Sequence, residues 1–151
     1  MSHVRKQIRD QFVTLLTAGV TLVSSRVYAT RVYPLTQAKL PAITVTIGSE
    51  SSGLMTMGAT MGSKSLDRTV EIAVSVYENA TASLDSAIDA IAVQIEEAIG
   101  ADFTLGGIAK ESVLTSTSID FSGETEQPVG IATLTFSVRY VTSLTDVETA
   151  R

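Results

Sequence analysis

The alternation of apolar and polar residues predicts a strand that leads into a helix in the middle of the chain. Within residues 68–77, valine or isoleucine occupies every second position from Val70 to Val76, as in a strand with one buried face. After a short polar segment, apolar residues recur at spacings of three and four over residues 84–99, which predicts an amphipathic helix. Thr81 or Ser83 is expected to cap the start of this helix, and Gly100 is expected to end it.

Similar patterns predict a second helix and four further strands. The N-terminal helix is expected to begin after Ser2 as its cap, to carry its apolar stripe at positions 4, 8, 12, 15 and 16, and to end at Gly19. The further strands are predicted over residues 27–33, 42–48, 112–121 and 130–141. We expect the first of these at an edge of the sheet and the last two as an antiparallel hairpin.

Two helical stripes and one apolar sheet face predict a two-layer α+β fold. A mixed or antiparallel sheet of about five strands is expected, with both helices packed on one of its faces. We expect one domain over residues 1–151, because no linker divides the chain. Within it, residues 49–65 are predicted to form a flexible loop, and residues 143–151 a frayed tail.

Composition excludes several classes of protein. The net charge is −5 and the pI is about 4.8, which argues against general binding to DNA or RNA. Cysteine is absent, so disulfides and zinc–thiolate sites are excluded. No segment approaches the roughly eighteen consecutive apolar residues of a membrane span, and we therefore expect no membrane insertion.

Candidate chemical groups are few and badly arranged. His3, the only histidine, lies beside the N-terminus, whereas a catalytic triad needs a histidine that is held by packing. Asp85 and Asp89 share a helix face but lack histidine or cysteine partners for a metal. Glu124 and Glu126 lie in a polar turn that offers no burial to raise a carboxyl pKa. We therefore predict no enzymatic activity, no cofactor and no metal site.

Other features favour assembly with other chains. The 49–65 segment is long, nearly uncharged and rich in methionine, and the 27–33 strand carries few charges that would block pairing at an edge. A monomer with an ordinary surface loop is the alternative interpretation. The candidate partner-contact residues are Gly53, Leu54, Met55, Met57, Met61, Lys64, Glu124 and Glu126.

The order and spacing of four segments resemble a known family. These segments are LPAITVTIGSE at 40–50, VEIAVSVY at 70–77, SLDSAIDAIAVQIEEAIG at 83–100 and ATLTFSVRYVT at 132–142. They resemble the tail terminator proteins of long-tailed bacteriophages, the minor tail protein U family of lambda-like phages. The resemblance implies a subunit of a ring, a hexamer in that family, that caps the head-proximal end of the tail tube and stops its polymerisation.

The same resemblance implies the partners and the location. The ring would contact the tail tube protein and provide a docking surface for the head–tail connector or neck protein, and DNA would pass through its lumen without specific binding. The protein would reside in the virion, and in the host cytoplasm during assembly. Two other interpretations remain open: a neck or head–tail joining protein, and a small-molecule-binding α+β domain, which would need a concave apolar pocket.

Overall fold

A five-stranded mixed sheet forms one layer of the molecule and two helices form the other. The computed structural model describes residues 2–23, 26–29, 41–54, 64–79, 84–122 and 129–151. The elements are α1 (Val4–Gly19), a 3₁₀ turn (Thr21–Val23), β1 (Val27–Tyr28), β2 (Ala42–Leu54), β3 (Ser65–Asn79), α2 (Leu84–Ala101), β4 (Glu111–Ser122) and β5 (Val129–Ser143). The strand order is β1-β2-β3-β5-β4, with β1 parallel to β2 and the other neighbours antiparallel. The predicted α+β class is confirmed.

The core lies between the helices and one face of the sheet. Every second residue is buried on that face from Val70 to Val76 of β3 and from Ala132 to Tyr140 of β5, and there Ile72 pairs with Phe136 and Val74 pairs with Leu134. The ring of Phe12 in α1 meets Phe136 edge-on, with 5.5 Å between the ring centroids. Both helices turn their apolar stripes to this face because only there can they remove them from water.

The two helices run antiparallel and touch each other. Gly19 at the end of α1 faces Ala98 of α2, and the Gln94 side chain donates to the Thr21 hydroxyl at 3.1 Å. Helix α1 covers β1 and β2, whereas α2 covers β3 and β4. The sheet therefore has an α1 side, which ends at β1, and an α2 side, which ends at β4.

The strands predicted over residues 27–33 and 42–48 are present as β1 and β2, but β1 as described is shorter than predicted and β2 is longer. Strand β1 lies at a sheet edge as predicted, but the strand described covers Val27–Tyr28 alone, and residues 30–40 lie outside the described residues. The flexible loop predicted over 49–65 is too long, because β2 continues to Leu54 and β3 already begins at Ser65. A bulge between Ile47 and Glu50 interrupts the alternation without ending the strand.

The predicted helix ends need correction. His3, and not Ser2, caps α1, and its Nδ1 atom accepts a hydrogen bond from the Arg5 amide at 3.2 Å. Gly100 does not end α2, which continues to Ala101. The left-handed conformation expected there occurs later, at Leu105, Gly106 and Gly107, with φ of 54°, 72° and 94°. The predicted caps at 81 and 83 lie outside the described residues.

The C-terminal tail is not frayed as predicted. Strand β5 extends to Ser143, and the chain then turns back so that Ala150 forms a bridge with Thr142. The Arg151 amide donates to the Val141 carbonyl at 2.8 Å, and the Val147 carbonyl accepts from the Val4 amide at 2.9 Å. These backbone hydrogen bonds tie the polar tail to the sheet and to the start of α1.

Candidate functional site

The two long hairpins of the sheet point in opposite directions. Residues Leu54 and Ser65 end the β2–β3 hairpin beside Ser143, the last residue of β5. The β4–β5 hairpin ends with the pair Ser122 and Val129, at the first residue of β5. At about 3.3 Å per residue, β5 separates these two ends by about 45 Å. The molecule therefore presents two distant ends to potential partners.

Three of the eight predicted contact residues are described, and they lie at the β2–β3 end. Gly53, Leu54 and Lys64 come together at the β2–β3 end, where Leu54 is 49% exposed and pairs with Leu66. The Lys64 carbonyl accepts from the Leu144 amide at 3.2 Å, which fixes the start of β3. Met55, Met57, Met61, Glu124 and Glu126 lie outside the described residues. The structure therefore brings together Gly53, Leu54 and Lys64 alone among the eight predicted residues that it describes.

Beneath the N-terminus of α1, four polar side chains converge. The bulge in β2 turns Glu50 toward the helices, where its carboxylate accepts from Arg5 at 2.6 Å and from Arg68 at 3.5 Å. The Tyr140 hydroxyl donates to the other oxygen of Glu50. Arg68 also donates through Nε to the Thr142 hydroxyl at 3.0 Å. We call Arg5, Glu50, Arg68 and Tyr140 the Glu50 cluster.

The Glu50 cluster is buried except for Arg5, whose side chain is 40% exposed, and it carries a net positive charge because two arginines share one carboxylate. The Glu50 side chain is 10% exposed and that of Arg68 is 11% exposed. Burial, and then the hydrogen bond to Glu50, strongly raise the pKa of the Tyr140 hydroxyl, which stays protonated. The cluster joins α1 to the β2–β3 hairpin, because its members come from α1, β2, β3 and β5. Sequence reasoning missed it, since Glu50 lies in the segment that was predicted to be a loop.

The α2 side of the molecule carries an uncovered strand edge. Strand β4 is the last strand of the sheet, and no described strand pairs with its outer edge. Val113 and Ile119 on β4 are 50% and 44% exposed. A bulge between Leu114 and Ser116 moves the alternation by one residue, so Leu114 and Ile119 both lie on the helix side. The sequence predicted this strand, but it did not predict the bulge that changes which residues of the strand face the helices.

The sheet face opposite the helices is rich in serine and threonine. Thr46, Ser75, Thr133, Thr135 and Ser137 lie on this half-buried face, and the Ser75 and Thr133 hydroxyls are 3.4 Å apart. Neither α1 nor α2 covers this face.

Two further findings concern only the residues that the structure describes. Among them, no three histidine or carboxylate side chains are grouped so that they would hold a metal ion. None of the helices in that part of the chain is long and apolar enough to cross a membrane.

Comparison with known proteins identifies a shared fold. No protein-family model matches the chain, and no curated protein matches it. A solved structure does match. It is a chain in the virion of a native gene transfer agent particle, with a TM-score of 0.59 and 18% sequence identity. The match covers 87% of this chain and 92% of the other, so the two chains share a fold over nearly their whole lengths.

Proposed function

We propose that this protein is a structural component of a virion. The observation that carries the proposal is the fold shared with a virion chain, which spans 87% of this chain and 92% of that one. A fold alone does not fix a function. The proposal therefore also rests on the surfaces of this chain, which suit assembly: an uncovered β4 edge and two hairpin ends that face away from each other.

More specifically, we propose that the protein is a tail terminator. A ring of subunits, six in the family that the sequence resembles, caps the head-proximal end of the tail tube and stops its polymerisation. One end of each subunit meets the tail tube protein and the other meets the connector or neck protein. The two hairpin ends, about 45 Å apart, support this division because one subunit must contact two partners along the tail axis.

The role is structural and not enzymatic, and it needs no cofactor. Ring closure requires a heterologous contact, in which one side of a subunit meets a different side of the next. A net charge of −5 per subunit suits a lumen through which DNA passes without binding. The protein would thus act in the virion, at the head-proximal end of the tail, and in the host cytoplasm during assembly.

Electron microscopy of the purified protein tests the proposal. The protein is imaged alone and after mixing with tail tubes of the particle that encodes it, and its mass in solution is measured in parallel. We expect rings with a central hole, or caps at one end of each tube. Monomers that leave the tubes uncapped would contradict the terminator proposal.

Deletion of the gene distinguishes a terminator from a neck or head–tail joining protein. Loss of a terminator should give overlong tails, because tube polymerisation then has no stop. Loss of a joining protein should give tails of normal length that fail to attach to heads. The second result would replace the terminator proposal with the joining role and would leave the structural virion role in place.

A further inference from the structure

The α2 side of the molecule is acidic along its outer flank. At 3.6 residues per turn, Asp85, Asp89 and Glu96 fall within about 40° of one another around the helix. All three are exposed. Gln94 and Ala98, which contact the α1 side, lie on the opposite flank of α2. The three carboxylates therefore lie on the flank that faces away from α1, above the outer edge of β4. We call this flank and the β4 edge the acidic edge.

The opposite side of the molecule is basic. Arg5 and Arg9 lie on one flank of α1, and Gln11, on the other flank, lies near Gly106 in the turn that follows α2. Arg5 and Arg9 thus face away from α2. Lys6 is beside them and is 51% exposed. Arg26, next to β1, donates to the Pro41 carbonyl at 2.9 Å. We call this flank of α1 together with β1 the basic edge.

Local ion pairs do not cancel the difference in charge between the acidic edge and the basic edge. Asp10 is the acidic partner of both Lys6 and Arg9, at 2.8 Å and 3.2 Å. Arg5 is paired with Glu50 at 2.6 Å, but Glu50 is shared with Arg68. Two carboxylates thus serve four cations, and the basic edge keeps a positive excess. On the acidic edge, α2 contains no lysine or arginine between Leu84 and Ala101. The two edges are consequently opposite in charge and lie at opposite ends of the strand order.

We propose that the acidic edge of one copy docks against the basic edge of a second copy. The partner is this same chain, because a single subunit carries both of the complementary surfaces. Such a contact is heterologous, so it builds rings or chains and not a two-fold dimer. The inference rests on the proposed function in one respect, since it names the contact by which the terminator ring would close.

The β4 edge adds an apolar part to this contact. Val113 and Ile119 are exposed on a strand whose outer backbone groups have no described partner. Natural proteins usually protect such an edge with lysine, proline or a covering element. Strand β4 carries no lysine or proline, and its protection is limited to the bulge after Leu114 and the exposed carboxylates Glu111 and Asp120. A neighbouring copy would cover this strand while its basic residues meet the carboxylates of α2.

Charge reversal of either edge tests the proposal. The first variant, Asp89→Lys with Glu96→Lys, makes α2 basic, and the second, Lys6→Glu with Arg9→Glu, makes the flank of α1 acidic. Each variant alone places like charges against each other, and should lower the apparent association constant by about a hundredfold or more. Glu97→Lys is the matched control, because it reverses an exposed carboxylate of α2 that lies about 100° away from Glu96.

Mixing the two variants gives a result that misfolding would not produce. In the mixture, the basic α2 of the first variant meets the acidic α1 flank of the second. The acidic wild-type α2 of the second variant meets the basic wild-type α1 flank of the first, so both contacts join opposite charges. Assembly should therefore return, in rings with an even number of subunits in which the variants alternate. Circular dichroism and thermal unfolding of each variant check that both are folded before they are mixed.

The outcomes separate this inference from the proposed function. Assembly of the wild type, loss in each variant and recovery in the mixture would support the inference. If the wild type caps tubes and both variants do so equally well, the inference is wrong and the terminator proposal stands. If the mixture fails to assemble although both variants are folded, the proposed pairing of edges is also wrong. If the wild type never assembles, with or without tubes, both proposals fail.

Discussion

At the scale of single residues, Glu50 is the side chain whose loss should cost most. It accepts hydrogen bonds from Arg5, Arg68 and Tyr140, and the Arg68 side chain is 11% exposed. Glu50→Ala would leave a buried guanidinium and a buried phenol without their acceptor. We expect the free energy of unfolding to fall by about 3 kcal/mol, measured by urea denaturation.

Two further variants distinguish this loss from a general effect of removing a carboxylate. Tyr140→Phe removes one donor and leaves both arginines in place, so its cost should be about 1 kcal/mol. Glu97→Ala removes an exposed carboxylate and should change stability by less than about 0.5 kcal/mol. A Glu50→Ala variant as stable as Glu97→Ala would show that the cluster contributes nothing to the fold.

His3 makes the start of α1 sensitive to pH. Burial, followed by the charges of Arg5 and Arg68, lowers the pKa of His3 from its ordinary value of 6.5, although Glu50 opposes this shift. The unfolded chain therefore takes up this proton first as the pH falls. The stability contributed by neutral His3 is present above about pH 6.5 and is lost below it. Protonation would also remove the lone pair of Nδ1 that caps α1.

His3→Ser isolates this effect, because serine caps a helix and does not titrate near neutral pH. Between pH 7.5 and pH 5.5, we expect the wild type to lose stability relative to His3→Ser. The cap is worth roughly 1 kcal/mol, so the difference should be of that order or smaller. Thermal unfolding at the two pH values measures it. Equal losses in both proteins would mean that His3 does not titrate differently in the folded state.

At the scale of elements, the contact between α1 and α2 depends on the absence of a side chain. A Cβ atom built on Gly19 would lie 2.8 Å from the Cβ of Ala98, closer than two such atoms can approach. Gly19→Ala should therefore push the helices apart and lower the free energy of unfolding by about 1–3 kcal/mol, although alanine favours the helix. Urea denaturation provides the measurement.

Gly100→Ala is the matched control for Gly19→Ala. Gly100 also lies in a helix, but nothing lies within 4 Å of the Cβ that it would gain. This substitution should stabilise the protein by up to about 1 kcal/mol through helix propensity alone. The double variant with Gly19→Ala and Ala98→Gly should recover part of the loss. If Gly19→Ala and Gly100→Ala stabilise the protein equally, the helices do not meet at Gly19.

The elements also show what the sequence could and could not predict. The strands and helices with an unbroken period were found, because β5, α2 and the Val70–Val76 part of β3 each bury one regularly spaced set of apolar residues. Within the strands, the errors of phase and extent occur where the period breaks, at the bulges that follow Ile47 and Leu114. The errors at the helix ends and in the C-terminal tail instead concern segments that have no hydrophobic period to read. A bulge shifts every later side chain to the other face while the strand continues.

The Glu50 cluster and the two charged edges illustrate a different limit. Glu50 and Tyr140 are 90 positions apart in sequence, and only the pairing of β2, β3 and β5 brings them together. The acidic flank of α2 was visible as Asp85, Asp89 and Glu96 at helical spacing. Helical spacing groups these three carboxylates, but it does not show that they face away from α1. That orientation is set by the packing of α2 against α1 and the sheet.

At the scale of the whole molecule, the structure separates four surfaces that assembly would use differently. The acidic and basic edges lie at the two ends of the strand order, whereas the hairpin ends lie at the two ends of β5. Contacts between copies and contacts along a tail axis would therefore run in different directions. This separation implies that one kind of contact can be lost while the other is kept.

Leu54 offers the test of that independence. It lies at the β2–β3 end, is 49% exposed and has no place on either charged edge. If this end contacts the tail tube, Leu54→Asp should weaken capping of tubes by about tenfold or more, because it puts a charge into an apolar contact. Rings of the variant, in solution or in micrographs, should form as in the wild type.

Leu22→Asp is the matched control, since Leu22 is 48% exposed and lies in the 3₁₀ turn after α1, outside the β2–β3 hairpin. Equal capping by the wild type and Leu54→Asp would indicate that the opposite hairpin end, between β4 and β5, faces the tube. Loss of both rings and capping in Leu54→Asp would instead show that the contacts between copies reach the hairpin end. The charged edges and the β2–β3 end would then act as one surface, and the independence inferred from the direction of β5 would be wrong.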